Sequence, residues 1–207
     1  TVKQFKKIGI NKLAVVAGYK AESINVSGID IKINKDYETG NELMSLSYAE
    51  ECFDNDMVIT YGDLLFREHI LRDLLEVNGE IVIIVDSALD NPNMTGSPDV
   101  AYCSQNDDRS PFMQNITLKK LSSKIEGDIE PSGHWIGMMR VRKDGRRWIE
   151  TAINELKTSS NFKELTIPDL LNHIIENGNT VNVHYINGHW LDVNSINDID
   201  AAGDFTQ

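Results

Sequence analysis

The stretch VITYGDLLF, residues 58–66, decides the fold, because an apolar run ends there in a glycine followed by a carboxylate. A carboxylate at the end of a buried strand, beside a glycine that lets a ligand approach the backbone, is typical of metal and phosphate sites in α/β sheets. The stretch YINGHWLDVN, residues 185–194, has the same pattern near the end of the chain. Asp63 and Asp192 are therefore predicted to share one magnesium ion. A helix cap for Asp63 and a turn role for Asp192 are the alternatives.

The composition is that of an ordinary globular protein, with 207 residues of which 41% are hydrophobic and 25% charged. We expect one domain spanning residues 1–207. The net charge of −12 argues against a general nucleic-acid binder, whose phosphate contacts need clustered Lys and Arg. The basic segment 140–147 is interpreted as a solvated hairpin turn around Asp144 and Gly145. Two cysteines make neither a disulfide framework nor a zinc site, and without a signal peptide or spanning segment a cytoplasmic location is expected.

Apolar periodicity predicts alternating strands and helices, which is the α/β class. The run IVIIV, residues 81–85, is apolar throughout and predicts a central strand covered on both faces, with Asp86 at its end. The segment 90–111 is predicted to be a long loop, and 115–142 an antiparallel part of the sheet. Further strands are predicted at 12–17, 29–33, 57–60 and 181–186, and helices at 1–9, from 21 onward, and at 42–53, 67–76, 148–156, 167–176 and 195–205.

Four motifs occur in the order found in nucleotidyltransferases of the sugar-phosphate and phosphocholine cytidylyltransferase type. They are GYKAE at 18–22, YETGNELMSL at 37–46, YGDLLF at 61–66 and GHWLDVN at 188–194. Together they span nearly the whole chain and most resemble the phosphonate cytidylyltransferase domains associated with phosphoenolpyruvate phosphomutase. The resemblance implies a three-layer, Rossmann-like nucleotidyltransferase fold with a mixed, mainly parallel sheet.

The resemblance also implies a reaction, in which an acceptor oxygen attacks the α-phosphorus of CTP in line and pyrophosphate leaves. It implies that Asp63 and Asp192 are catalytic and hold Mg²⁺ against the α-phosphate. Contact with the nucleotide is implied for Gly18, Tyr61 and Gly62. The implied acceptors are small phosphonates of the 2-aminoethylphosphonate or hydroxymethylphosphonate type, or phosphocholine. A sugar-1-phosphate nucleotidyltransferase and a noncatalytic binding or assembly module are the alternatives.

Substrate binding is expected from polar residues beside a helix start and from aromatic side chains. The candidates are Asn41, Glu42, Ser45, Trp135, Tyr185 and Trp190. The polar group could bring backbone amides to phosphate oxygens, and the aromatic group could form a wall favourable to an ammonium. The alternatives are a capped helix and ordinary core packing. Glu42 or Asp86 is the expected partner of a cationic acceptor.

One feature of the family has no counterpart in this sequence. The resemblance implies a first strand, a glycine-rich loop with a basic residue and a Pro-Lys segment, whereas Thr1 matches the end of the helix that follows them. We expect from this a fragment with weak nucleotide binding and little activity, whose exposed sheet edges and apolar surface favour partner association or aggregation. The resemblance also implies a homo-oligomer. The implied partners are CTP, the acceptor and a covalently linked phosphomutase domain. Neither nucleic acid nor a membrane is expected.

Overall fold

The computed structural model describes residues 1–54, 56–89, 99–110 and 115–193, which contain both α-helices and β-strands. The α-helices are α1 (Val2–Lys7), α2 (Glu42–Ser47), α3 (Glu68–Glu76), α4 (Asp144–Leu156) and α5 (Ile167–Glu176). The strands are β1 (Ala14–Ala17), β2 (Asp30–Ile33), β3 (Asp56–Thr60), β4 (Leu64–Phe66), β5 (Ile81–Asp86), β6 (Val100–Cys103), β7 (Leu118–Ser122), β8 (Gly133–Arg142), β9 (Val181–Ile186) and β10 (Trp190–Asp192). The predicted helix at 195–205 and part of the predicted loop at 90–111 lie outside the described residues.

Strands β5 and β8 form the middle of a six-stranded sheet. β8 lies antiparallel between β3 and β5, and β5 pairs on its other edge with the parallel strand β9. β6 pairs with the start of β8, and β7 follows it, both antiparallel. All six residues of β5 are buried, as predicted for a central strand covered on both faces. Two smaller sheets pair β1 with β2 and β4 with β10.

The predicted mixed sheet is confirmed, but antiparallel pairs outnumber parallel ones among the described strands. In that part of the chain, only β1 with β2 and β5 with β9 run parallel. The long strand β8 is the reason, because it runs opposite to both of the strands that flank it, β3 and β5. The resemblance had implied a mainly parallel sheet, but the described strand pairs are mainly antiparallel.

Both faces of the large sheet are covered, so the predicted three-layer arrangement is confirmed. One face packs on α2, α4 and α5 through residues that include Ile83, Met139 and Leu170. The opposite face packs on α1, α3 and the β4–β10 sheet through residues that include Val82 and Phe66. Consecutive residues of β5 thus enter opposite cores, as the alternation of side chains along a strand requires.

The basic segment 140–147 is not the solvated hairpin predicted from its Asp-Gly pair. Gly145 belongs to the first turn of α4, where an added Cβ would lie 2.5 Å from the Glu80 carbonyl oxygen. Arg140 is fully buried. Its guanidinium donates to carbonyl oxygens at and just beyond the end of α3, at 2.6, 3.1 and 2.9 Å from Leu74, Leu75 and Gly79. A cation in this position complements the negative end of the helix dipole.

Three of the helices predicted from the sequence are confirmed, and two others are shorter than predicted. α1, α3 and α5 confirm the predicted helices, and α5 begins with a capping box between Thr166 and Asp169. The helix predicted from residue 21 is only the 3₁₀ turn Ala21–Ser23, and the helix predicted at 42–53 is divided into α2 and the 3₁₀ turn Glu50–Cys52. No helix in the described ranges has the length and apolar character needed to cross a membrane.

Candidate active site

The two aspartates predicted to act together lie at one pair of strands, since Asp63 directly precedes β4 and Asp192 ends β10. β4 and β10 are antiparallel, and Asp192 is the partner of Leu64 in their register. One step further, the Val193 amide donates to the Asp63 carbonyl oxygen at 3.1 Å. Asp63 and Asp192 therefore meet at one end of a short ladder, although they are far apart in the sequence. The structure places the two residues' backbones side by side, while their shared metal role stays a prediction.

The two glycines predicted to contact the nucleotide have different surroundings. An added Cβ at Gly62 would meet no atom within 4 Å, so the backbone beside Asp63 is open to a ligand. An added Cβ at Gly18 would lie 2.3 Å from the Tyr37 side chain, so the tyrosine fills the space beside this glycine. Gly62 suits close approach of a phosphate, whereas Gly18 makes room for Tyr37.

Tyr61 links the aspartate pair to the large sheet. Its ring lies over Gly137, where a Cβ would be 2.4 Å from the ring, and meets Trp135 edge-on with 5.4 Å between centroids. Burial raises the pKa of the Tyr61 hydroxyl, and neighbouring carboxylates raise it further. In decreasing order of effect, these are Glu42, Asp99, Asp63 and Asp192. The phenol therefore remains a neutral hydrogen-bond donor in an acidic surrounding.

Asp99 is a site residue that the sequence did not reveal. It precedes β6, and its carbonyl oxygen accepts a hydrogen bond from the Trp135 amide at 2.9 Å. Burial raises the pKa of its carboxyl from 3.8 to about 6, and the charges of Glu42 and Asp169 contribute to the rise. The available signal was an aspartate directly before the apolar run that starts at Val100, but it lay at the end of a segment interpreted as a loop.

The predicted phosphate-binding segment at 37–45 is held mainly by structural contacts. The Asn41 side chain donates to the Glu164 carbonyl oxygen at 2.7 Å, and its amide donates to the Lys163 carbonyl oxygen at 2.9 Å. Ser45 accepts a hydrogen bond from the Asn34 side chain at 3.0 Å. Asn41 and Ser45 thus fix α2 against its neighbours. Glu42, the third predicted residue of this segment, is close enough to the Tyr61 phenol for its charge to raise the pKa of that hydroxyl.

The three predicted aromatic residues do not form one wall. Trp135 and Tyr185 belong to the core beneath α4 and α5, together with Tyr61. Trp190 packs in the opposite core, where it is 3% exposed. The correction has a simple cause, because Trp190 pairs with Phe66 in the β4–β10 ladder and both side chains enter the same core. Tyr61 takes the place beside Trp135 that the sequence had assigned to a tryptophan.

Asp86, one of the two residues expected to pair with a cationic acceptor, is not placed to do so. Its side chain is fully buried at the end of β5. The carboxylate accepts hydrogen bonds from the Ala88 and Gly188 amides at 3.0 and 3.1 Å and from the Trp190 indole at 2.6 Å. Glu42 remains as the expected counter-charge, and Asp99 joins it.

Asp63 and Asp192 are the kind of incomplete donor set that magnesium uses together with a substrate. No group of three or more His, Cys, Asp or Glu side chains in the described residues could hold a metal ion by itself. Magnesium typically retains several waters and binds one or two carboxylates together with substrate phosphates. A pair of carboxylates beside the open backbone of Gly62 is a donor set of this kind.

Comparison with known proteins adds two curated relatives, while no protein-family model matches the chain. CTP:phosphoglutamine cytidylyltransferase of Campylobacter jejuni is 22% identical over 97% of this chain and 84% of its own length. The low-salt glycan biosynthesis nucleotidyltransferase Agl11 of Haloferax volcanii is 26% identical over 96% of this chain, which spans about half (54%) of that relative. Both names describe nucleotidyltransferases, which supports a nucleotidyltransferase enzyme.

Solved structures show the same fold. The inositol-1-phosphate CTP transferase from T. maritima aligns with a TM-score of 0.72 at 15% identity, over 99% of this chain and 79% of its own. The CTP:phosphocholine cytidylyltransferase from Streptococcus pneumoniae aligns with a TM-score of 0.70 at 15% identity, over 100% and 83%. The chain therefore has the mixed α/β, Rossmann-like fold of these nucleotidyltransferases.

Proposed function

We propose that the protein is a magnesium-dependent cytidylyltransferase that transfers CMP from CTP to a small phosphonate or phosphate acceptor and releases pyrophosphate. The observation that carries the proposal is the meeting of Asp63 and Asp192 on the β4–β10 ladder, beside the Tyr61 phenol. In the reaction, an acceptor oxygen forms a bond to the α-phosphorus of CTP while the bond from that phosphorus to the pyrophosphate oxygen breaks. All of the reacting groups are anionic, so the site must neutralise and align them.

Each residue of the site has a distinct task in this proposal. Asp63 and Asp192 would hold Mg²⁺, which supplies the positive charge that brings the two anions together. Gly62 leaves the backbone open at the position where the α-phosphate would lie. The Tyr61 hydroxyl, kept neutral by its surroundings, would donate a hydrogen bond to a phosphate oxygen.

The choice of CTP and of a phosphorylated acceptor rests on the relatives. One is named for CTP and phosphoglutamine, and two solved structures are named for CTP with inositol-1-phosphate or phosphocholine. The phosphonate acceptor and a linked phosphomutase domain rest on the motif resemblance alone. Association with a second copy is likewise a proposal that rests on the resemblance.

Within these acceptors we favour one that carries an ammonium group, such as 2-aminoethylphosphonate or phosphocholine. Glu42 and Asp99 place two carboxylates close to the Tyr61 phenol, and the Tyr61 and Trp135 rings pack edge to face beside them. An ammonium would gain from the two carboxylates and from contact with the partly exposed Tyr61 ring. A hydroxymethyl or inositol acceptor carries no positive charge and would gain nothing from these carboxylates.

The test is pyrophosphate release with each nucleoside triphosphate against a panel of acceptors. The panel contains 2-aminoethylphosphonate, hydroxymethylphosphonate, phosphocholine, phosphoglutamine and glucose 1-phosphate. We expect magnesium-dependent turnover with CTP and an ammonium acceptor, abolished in Asp63→Asn and Asp192→Asn and retained in the matched exposed variant Asp128→Asn. Turnover that survives in both site variants would contradict the metal assignment.

The second candidate is a sugar-1-phosphate nucleotidyltransferase. A relative named for glycan biosynthesis favours it, as does a solved structure from Bacillus anthracis described as a putative glucose-1-phosphate thymidylyltransferase, with a TM-score of 0.64. Release only with glucose 1-phosphate would move the protein to this class. Silence with every pair would favour a noncatalytic binding module.

A further inference from the structure

The buried carboxylate of Asp86 joins the segment after β5 to the turn between β9 and β10. Oδ1 accepts the Ala88 and Gly188 amides, and Oδ2 accepts the Trp190 indole N–H at 2.6 Å. Ala88 follows β5, Gly188 lies between β9 and β10, and Trp190 begins β10. Hydrogen bonds to a carboxylate are stronger than those between neutral groups, so one side chain fixes this junction from two sides.

The piece that Asp86 holds is a tight turn with two consecutive left-handed residues. Gly188 has a φ of +70° and His189 a φ of +66°, a conformation that a non-glycine residue adopts rarely. Asp86 binds the residue at the start of this turn and the residue directly after it. The turn therefore has its unusual backbone fixed at both ends by the same carboxylate.

The position of Asp192 follows from this turn. β10 is three residues long, from Trp190 to Asp192, so the carboxylate predicted to bind metal is two residues from the indole that Asp86 holds. The register of β10 on β4 continues with the bond from the Val193 amide to the Asp63 carbonyl oxygen. A displacement of the turn would move Asp192 relative to Asp63.

We propose that Asp86 is a positioning residue, which sets the geometry of the Asp63–Asp192 pair through Gly188 and Trp190. The effect on metal binding rests on the proposed function, whereas the effect of Asp86 on the position of β10 does not. Groups that orient a metal-binding side chain commonly change metal affinity or turnover by about 10- to 100-fold when removed. Asp86 contacts neither substrate nor metal in this proposal.

The substitution Asp86→Asn tests the role with almost no change of volume. Asparagine has one acceptor oxygen and an NH₂ group, so a donor would face either the indole N–H or the two backbone amides. The substitution Trp190→Phe removes the indole donor while retaining an aromatic ring. If Asp86 acts through the Trp190 indole, Asp86→Asn should displace β10 less in the Trp190→Phe background than in the native background.

Two readouts on the full chain separate positioning from general stability. One is the hydrogen exchange rate of the Val193 amide, measured by NMR relative to the core amides of β5. The other is the half-saturating Mn²⁺ concentration at saturating CTP without acceptor, measured by electron paramagnetic resonance. We expect Asp86→Asn to raise both by about 10-fold.

The matched control is Arg140→Met, which weakens the same sheet at its opposite end. Arg140 pairs with Val82 near the start of β5, whereas Asp86 ends that strand. The Arg140→Met substitution should lower the unfolding temperature and leave both readouts unchanged. The proposal is overturned if Asp86→Asn leaves the relative exchange of Val193 unchanged, or if Arg140→Met alters both readouts as strongly. If the native protein itself binds no Mn²⁺ with CTP, the proposed function fails, and the Val193 exchange alone decides the positioning role.

Discussion

Replacing Asp99 by asparagine is expected to stabilise the protein at about pH 8 and to have little effect at about pH 4. In the folded protein the pKa of Asp99 rises from 3.8 to about 6, because burial and the nearby charges of Glu42 and Asp169 disfavour its ionised form. Below the unfolded pKa both states are protonated, and Asp99 makes no pH-dependent contribution. As pH rises toward the folded pKa, only the unfolded state loses its proton, and above it the native state carries the full penalty.

The size of this penalty follows from the shift. A rise of about two pKa units corresponds to ~3 kcal/mol in the free energy of unfolding, at 1.36 kcal/mol per unit. Asp99 is partly exposed, so solvent screening reduces the value to about 1–2 kcal/mol. For a chain of this length that is about 3–6 °C in the unfolding temperature.

The assay is thermal unfolding followed by circular dichroism at the two pH values, with Asp128→Asn as the exposed control. The pH dependence would be refuted by an equal gain at both pH values, or by a loss of stability at the higher pH. The same variant should raise the KM for 2-aminoethylphosphonate about 10-fold, which is 1.4 kcal/mol of binding, and leave the KM for hydroxymethylphosphonate unchanged. A stabilised protein with a weakened ammonium site would identify Asp99 as a binding residue retained at the expense of stability.

Three further predictions concern the site and its support. Asp63→Asn and Asp192→Asn should each lower magnesium-dependent kcat by about 100-fold or more with an unchanged circular dichroism spectrum, and full activity in either would remove that residue from the metal site. Arg140→Met should lower the free energy of unfolding by about 2–4 kcal/mol in urea titration, because the carbonyl groups at the end of α3 lose their cation; a loss below about 0.5 kcal/mol would contradict this. Gly137→Ala should displace the Tyr61 ring, because the added Cβ would lie 2.4 Å from it at a φ of +79°. A crystal structure with Tyr61 unmoved would contradict that expectation, and kcat should fall with the displacement.

The sequence predicted those features that depend on neighbouring residues. The run at 81–85 is apolar without interruption, and it forms the buried strand β5. Asp63 and Asp192 each follow an apolar run and a glycine, and β10, which ends at Asp192, pairs with β4, which Asp63 directly precedes. Local pattern was sufficient to place the two aspartates at strand boundaries, and their catalytic role stays a prediction.

Features that depend on tertiary contacts were not visible in the sequence. Arg140 belongs to a run of basic residues that is typical of a surface turn, yet it is fully buried because three carbonyl oxygens converge on it. Trp190 was assigned to the substrate wall, but the β4–β10 register directs it into the opposite core. The pKa of Asp99 is raised first by its burial in the fold and then by the charges of Glu42 and Asp169, which are distant in the chain. In each case, the deciding partner comes from another element.

The two halves of the candidate site belong to different sheets. Asp63 and Asp192 lie at the β4–β10 ladder, whereas Trp135 and Asp99 belong to or adjoin the large sheet, with Tyr61 between them. Substitutions that adapt the enzyme to a new acceptor can therefore accumulate around Asp99 and Trp135 without altering the backbone that carries the aspartates. Under the proposed function, such a division would make substrate range evolvable while the transfer chemistry is inherited unchanged, and it marks the residues around Asp99 as the positions to randomise in directed evolution.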